Sequence, residues 1–160
     1  MKHVFYIIAL AVVAVVFPSC LTGEDNSTPV IQLAGYMDRY NSLGVHDSIE
    51  FGDTVHVGDT LVAHMMLMGG YNNLTGLVVS CDTSVIGRKL VVTEGYEQHL
   101  ASGSDPENGK MLFIKDVYLY PTDMRLVAKK TGDAKVLFTL SSTASEKYSP
   151  LNAWIMVPIR

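Results

Sequence analysis

The sequence predicts an all-β fold, a β-sandwich of about seven to nine antiparallel strands preceded by a cleaved export signal. From residue 30 onward, short apolar segments alternate with clusters of glycine, asparagine, aspartate and proline, and this pattern predicts strands joined by turns. No long segment keeps the period of about 3.6 residues that an amphipathic helix requires. The 160 residues are enough for one domain with its own core, whereas two domains would be cramped.

The first element is a secretory signal peptide over residues 1–19. Lys2 lies in a short head, and an apolar run extends from Val4 to Phe17. The small residue Ser19 ends the segment. The run is shorter than the roughly 20 apolar residues of a membrane-spanning helix. We therefore expect the protein to be exported and this segment to be removed.

Directly after the apolar run, Phe17, Pro18 and Ser19 lead into Cys20. A small residue before a cysteine resembles the end of the signal peptides of bacterial lipoproteins. The resemblance implies that Cys20 is acylated, becomes the first residue of the mature chain and holds it to a membrane. The alternative is ordinary cleavage near Ser19, which leaves Cys20 free to pair with Cys81, the other cysteine of the chain.

The next element is a polar segment, residues 21–29, which is rich in turn-forming residues. We expect residues 20–29 to be the lipidated cysteine and a flexible tether to the folded domain. The resemblance to lipoproteins of Gram-negative bacteria implies an outer-membrane location. The acidic pair Glu24 and Asp25 close behind the cysteine favours the cell surface.

The folded domain is expected over residues 30–160. Its predicted strands are 30–36, 48–57, 60–68, 75–82, 89–93, 111–120, 124–130, 135–142 and 153–159. Alternating residues share one face of a strand, so two of these strands each predict an inward-facing apolar row. The rows are Leu61, Ala63, Met65 and Leu67 on one strand and Val136, Phe138 and Leu140 on another.

The C-terminal part of the chain carries a second resemblance. A turn at Gly132 leads into an alternating strand, and the chain returns through a segment with Pro158, which suits an edge strand. This run is similar to the last hairpin of bacterial immunoglobulin-like modules, and the similarity extends from Asp47 onward. It implies an immunoglobulin-like β-sandwich. If Cys20 is acylated, no disulfide joins the sheets, and Cys81 is expected to be a buried, unreactive thiol.

The charge balance argues against one class of partner. Twelve lysines and arginines stand against sixteen aspartates and glutamates, a formal net charge of −4, and no basic run occurs. Because binding to nucleic acid needs clustered positive charge, we expect no nucleic acid partner. The sequence also carries no cofactor motif, so no cofactor is expected.

Two sets of residues are candidate binding sites. Tyr118 and Tyr120 lie two positions apart in a predicted strand, so they would share one face, on which exposed rings could bind a sugar. His64, Met66 and Met68 share the face of another strand, and an imidazole with thioethers suits Cu(I). Packing is the alternative for both sets, because tyrosines with wet hydroxyls and methionines both fill cores and interfaces.

A cluster of histidines and aspartates lies between His46 and His64. Within it, Asp53 and His56 differ by three positions and would point to opposite faces of an extended strand. The cluster therefore predicts turn-forming aspartates before two strands, and no metal site.

The same segment holds three tripeptides in which an aspartate is followed by serine or threonine and then by an apolar residue. They resemble the O-glycosylation sequon of some Gram-negative anaerobes. The acceptors that this resemblance implies are Ser48, Thr54 and Thr60.

Together these elements predict a lipid-anchored envelope protein with a non-catalytic binding or assembly module outside the membrane. The sequence has no nucleophile elbow, phosphate-binding loop or paired metal-binding histidines, so we expect no enzyme. The expected partners are the membrane, through the lipid anchor, and a protein or glycan at the cell surface. Two alternatives stay open: a carbohydrate-binding accessory protein that uses exposed tyrosines, and a copper-binding protein or enzyme.

Overall fold

Two antiparallel β-sheets, packed face to face, make up residues 27–160, the part of the chain that the computed structural model describes. The nine strands of this part are β1 (Val30–Tyr40), β2 (His46–Glu50), β3 (Thr60–Met68), β4 (Leu74–Ser80), β5 (Ile86–Val92), β6 (Lys110–Leu112), β7 (Leu119–Ala128), β8 (Gly132–Ser142) and β9 (Leu151–Ile159). Two single-turn 3-10 helices, Glu97–His99 and Pro106–Asn108, lie between β5 and β6. The predicted signal peptide, Cys20 and residues 21–26 lie outside the described residues.

The strands are divided between a five-stranded and a four-stranded sheet. The first has the order β2-β1-β3-β7-β5 and the second the order β6-β4-β8-β9. Consecutive strands such as β3 and β4 lie in different sheets, so the chain crosses between the two layers. The predicted all-β sandwich of antiparallel strands is confirmed, with nine strands within residues 27–160. No helix within residues 27–160 is long and apolar enough to cross a membrane.

Alternation with a period of two builds the core. In β3, every second side chain from Leu61 to Leu67 points inward and is at most 4% exposed. Val136, Phe138 and Leu140 of β8 line the inner face of the other sheet. Both predicted rows are confirmed, and each large apolar side chain that they bury stabilises the fold by roughly 1.5–3 kcal/mol.

The predicted strand 111–120 is wrong, because the chain leaves the sheet in the middle of this range. β6 ends early, Asp116 takes a left-handed φ of 69°, and β7 then runs through Pro121. Proline lacks the N–H that a central strand needs. However, β5 pairs no further than Val92, and the Pro121 carbonyl already accepts the Thr93 hydroxyl at 2.8 Å. The Pro121 nitrogen therefore faces the β5 side of β7, at a position where the backbone pairing with β5 has already ended.

The predicted strand 48–57 is also too long. β2 ends at Glu50, and Gly52 turns the chain with a φ of 96°, which residues other than glycine rarely adopt. Val55 then bridges to the four-stranded sheet and donates its N–H to the Pro158 carbonyl at 2.9 Å. This segment therefore ties the two sheets together instead of extending one of them.

Candidate functional site

The outer face of the five-stranded sheet carries a histidine held between two carboxylates. His64 of β3 lies directly opposite Asp123 of β7 in the strand register. Its Nδ1 lies 2.8 Å from Asp123 Oδ1, and its Nε2 lies 3.1 Å from Oδ2 of Asp38 on β1. Three neighbouring strands thus each supply one side chain, at positions that antiparallel pairing brings together. We call these three residues the Asp–His–Asp group.

The two carboxylates favour the charged imidazolium. The hydrogen bond to Asp123, followed by the one to Asp38, raises the pKa of His64. In turn, the hydrogen bond from His64 lowers the pKa of Asp38. In the charged state both ring nitrogens donate to carboxylates, so His64 has no lone pair free to bind a metal or to accept a proton.

Two exposed tyrosines of β1 flank the Asp–His–Asp group. The Tyr36 ring meets the His64 ring edge-on, with a centroid distance of 6.1 Å and an interplanar angle of 66°. The Tyr40 ring stacks on His46 of β2 at 4.6 Å and 11°. His46 lies 3.4 Å from Asp38, so the rings and the carboxylates form one continuous surface. Tyr36 and Tyr40 are 47% and 42% exposed, so both belong to the accessible surface of the sheet.

A cleft of about 490 Å³ opens beside the Asp–His–Asp group. β1 bulges between Leu33 and Met37, and the bulge interrupts its pairing with β3 next to the cleft. His64 and Asp123 supply polar groups to the wall. The other lining residues include Gln32, Ala34, Met66, Thr93 and Pro121. The cleft therefore offers the Asp123 carboxylate as an acceptor beside a partly apolar surface.

The predicted pair Tyr118 and Tyr120 does not form an exposed aromatic surface, and this prediction is wrong. Tyr120 is 0% exposed, and its ring packs against Tyr96 and Phe113 at centroid distances of 5.6 and 4.9 Å. Burial raises the pKa of Tyr120 to about 12. Tyr118 is exposed, but it precedes β7, so strand alternation does not bring its side chain to the face of Tyr120.

His64, Met66 and Met68 do share the outer face of β3, where all three are half-buried. The copper donor set is nevertheless incomplete, because carboxylates occupy both nitrogens of His64. Within residues 27–160, no group of three or more histidine, cysteine, aspartate or glutamate side chains is arranged to hold a metal ion.

The three predicted O-glycosylation acceptors differ in accessibility. Ser48 is exposed on β2, and Thr54 is exposed in the segment that follows. Thr60 begins β3 and is half-buried. Its neighbour Asp59 is 3% exposed and accepts the His56 N–H at 2.9 Å. Ser48 and Thr54 are thus the acceptors that an enzyme reaches more easily, and modification of any of the three stays a prediction.

Cys81 is a free thiol, half-buried directly after β4. Its Sγ donates to the Ile86 carbonyl at 3.3 Å, and burial raises the pKa of the thiol. A thiol with a raised pKa is mostly protonated near neutral pH, which makes it a poor nucleophile. The alternative partner, Cys20, lies outside the described residues.

The sequence reasoning missed the two carboxylates and the tyrosines of β1. Asp123 and Asp38 lie 59 and 26 positions from His64, so only the strand register brings the three together. One local signal was present, because Tyr36, Asp38 and Tyr40 alternate and share a face when the first strand is extended to residue 40, as β1 is.

The fold and the site define a β-sandwich domain with a polar cleft on its five-stranded sheet. No protein-family model and no curated protein matches the chain. Among solved structures, the chain is similar to domains 4 and 5 of the S-layer protein SbsC, with 12% identity and a TM-score of 0.40 over 82% of this chain and 53% of that one. It is also similar to a structure named BspA_C_WT, with 13% identity and a TM-score of 0.47 over 82% of this chain and 50% of that one.

A third similar structure is a family 123 glycoside hydrolase from Clostridium perfringens, with 10% identity and a TM-score of 0.40 over 83% of this chain and 28% of that one. The chain thus spans about half the length of the first two structures and less of the third. At these identities and TM-scores, the likeness carries no function over to this chain.

Proposed function

We propose that the chain is a lipid-anchored cell-envelope protein whose β-sandwich is a non-catalytic binding module. The anchor is Cys20, and the proposed location is the outer membrane, facing the cell surface. One observation carries the binding role: side chains from three strands are held in one arrangement beside an open cleft. Polar groups that are positioned in advance lower the cost of ordering on binding.

The bonding of the polar groups at the cleft supports a role without catalysis. Both nitrogens of His64 are engaged with carboxylates, so the imidazole is not poised to activate a nucleophile. The Thr93 hydroxyl donates to the Pro121 carbonyl at 2.8 Å, and the Thr122 hydroxyl donates to the Val91 carbonyl at 2.7 Å. Each hydroxyl proton is therefore committed to the backbone and not to a base.

The cleft suits a ligand that donates hydrogen bonds. The carboxylates of Asp38 and Asp123 have lone pairs beyond those that His64 uses. The exposed Tyr36 ring stands at the edge of this acceptor surface. A carbohydrate combines hydroxyl donors with apolar ring faces that pack on an aromatic side chain. Carbohydrate binding at this face is therefore the second candidate function, in place of the predicted tyrosine pair.

A glycan array probed with the purified protein tests this site. Asp123→Asn removes a charge and an acceptor at the cleft, whereas Asp133→Asn makes the same change on the four-stranded sheet, where Asp133 pairs with Arg160 at 2.9 Å. We expect wild type and Asp133→Asn to bind the same glycans and Asp123→Asn to lose them. Equal binding by all three proteins would place the glycan site elsewhere. If no glycan binds, crosslinking to purified envelope proteins with the same variants tests for a protein partner.

Membrane fractionation combined with protease treatment of whole cells tests the anchor. Wild type is compared with Cys20→Ala, which removes the thiol that carries the proposed acyl group. We expect wild type to be membrane-bound and cleaved by external protease, and the variant to be released. If both proteins are soluble and protected from external protease, the anchor assignment fails, and a disulfide between Cys20 and Cys81 becomes the hypothesis to test.

A further inference from the structure

We propose that one end of the sandwich docks onto the lipid surface that holds the anchor. This inference rests on the proposed acylation of Cys20. The docking end consists of the start of β1, the turn between β3 and β4, and the start of β7, and we call it the tether end. Its occupant is the water-facing interface of a lipid bilayer.

The chain enters the sandwich at the tether end. Ser27 lies against the β3–β4 turn, because the Asn72 side-chain amide lies 3.4 Å from both the carbonyl and the hydroxyl oxygen of Ser27. A Cβ atom at Gly70 would collide with the Ser27 hydroxyl. Cys20 and Ser27 are seven positions apart, so a fully extended chain separates them by at most about 25 Å. An acyl group on Cys20 therefore keeps this end within that distance of the membrane.

Exposed apolar and aromatic side chains form the surface of the tether end. Val30, Met68 and Leu119 lie opposite one another in three neighbouring strands. Val30 and Leu119 are 47% and 49% exposed. Tyr118 is 45% exposed, and its carbonyl accepts an N–H from the β3–β4 turn at 2.8 Å. Tyr71, which lies in that turn, is 79% exposed. Tyrosine suits a membrane interface because its ring is apolar and its hydroxyl stays in water.

The charges beside the tether end do not favour electrostatic attraction to anionic lipid. The charged residues of the neighbouring segments 93–99, 113–118 and 143–150 are Lys115, Lys147, Glu94, Glu97, Asp116 and Glu146. Acidic groups outnumber basic ones in this set, so apolar burial next to a covalent anchor supplies the docking. Salt screens charge interactions and leaves apolar burial in place, so docking is expected to persist at high ionic strength.

The opposite end of the sandwich also exposes apolar side chains, so composition alone does not choose the docking end. Leu43 and Val57 there are 87% and 46% exposed. β3 runs between the two ends over nine residues, a length of about 30 Å. The position of the tether therefore selects the docking end, and the opposite end supplies matched control positions.

Quenching by brominated lipid tests the docking on the acylated protein, purified from membranes and reconstituted into phosphatidylcholine vesicles. Trp154→Phe first removes the single tryptophan of the chain. Tyr71→Trp then places a probe at the tether end, and Leu43→Trp places one at the opposite end. As brominated phosphatidylcholine replaces ordinary lipid, we expect the Tyr71→Trp protein to lose emission and the Leu43→Trp protein to keep it. Adding Leu119→Ser to the first protein should reduce this loss.

The outcomes separate the docking from the anchor on which it rests. Loss of emission at the tether end alone, retained in high salt, supports the docking. A protein that floats with the vesicles but shows equal quenching at both ends, or none at either, overturns the docking and leaves the anchor standing. Quenching that disappears in high salt also overturns docking by apolar burial. A protein that does not float with the vesicles overturns the anchor and the docking together.

Discussion

Replacing Tyr120 with phenylalanine is expected to stabilise the protein. The side chain is 0% exposed, and its hydroxyl has no hydrogen-bond partner among the described residues. Leaving a buried hydroxyl unsatisfied costs roughly 1–3 kcal/mol, whereas the packing contacts of one oxygen atom contribute roughly 0.5 kcal/mol. Tyr120→Phe should therefore raise the free energy of unfolding by about 1 kcal/mol, which corresponds to a Tm increase of roughly 3–5 °C.

Urea unfolding of wild type, Tyr120→Phe and Tyr118→Phe measures this effect. Tyr118 is exposed, so its hydroxyl is satisfied by water, and the matched change there should alter stability by less than about 0.5 kcal/mol. A buried tyrosine with a good hydrogen bond loses about 1 kcal/mol on the same change. A loss of that size in Tyr120→Phe would refute the reasoning and show that the hydroxyl is bonded in solution.

The pH dependence of the same pair of proteins gives a second check. Burial raises the pKa of Tyr120 to about 12 in the folded state, against about 10 in an unfolded chain. Between these values the folded state binds more protons than the unfolded state, so wild type loses stability as the pH rises. The loss reaches roughly 2 kcal/mol at pH 12. The advantage of Tyr120→Phe should grow over this range, as measured by unfolding at several pH values.

Three further predictions concern other parts of the fold. The folded-state pKa of His64 is raised, so its stabilisation is full below about pH 6.5 and is lost as the pH rises through the folded value. The difference in unfolding free energy between wild type and His64→Gln should shrink over this rise, by at most about 1 kcal/mol because the ring is partly exposed, and a constant difference would contradict this. Gly109→Ala should destabilise by roughly 1–3 kcal/mol, because φ is 75° and the new Cβ would lie 2.7 Å from the Val79 carbonyl oxygen; unchanged urea unfolding would argue against this geometry. In a Cys20→Ala protein, Cys81 should react with a thiol reagent slowly when folded and rapidly in urea, and equal rates would show that the thiol is accessible.

The local part of the fold could be predicted from the sequence because strand alternation is a local signal. The predicted strand 60–68 coincides with β3, and its inward row is the buried one. The same reasoning failed at residues 111–120, where the left-handed Asp116 breaks the strand and β7 runs through Pro121. Whether a proline fits a strand depends on where the neighbouring strand ends, and no local pattern contains that information.

The candidate site could not be predicted for a related reason. His64 was grouped with Met66 and Met68 along the strand and with the histidines and aspartates that precede it, whereas its bonded partners come from β1 and β7. Those contacts depend on the pairing register of three strands. The burial of Tyr120 likewise follows from the residue at which β7 begins. The sequence shows which side chains could take part in a site, and the tertiary structure decides which of them lie together.

The order of the strands also has a consequence for transport. β3 pairs with β7 and β4 pairs with β8, so each sheet joins the first half of the domain to the second. A chain that crosses a membrane from its N-terminus delivers β1 to β4 well before β7 and β8. The early strands then have no opposing sheet to bury their apolar faces against, and neither layer closes until the last third of the polypeptide arrives. For an exported chain, this topology delays folding until translocation is nearly complete.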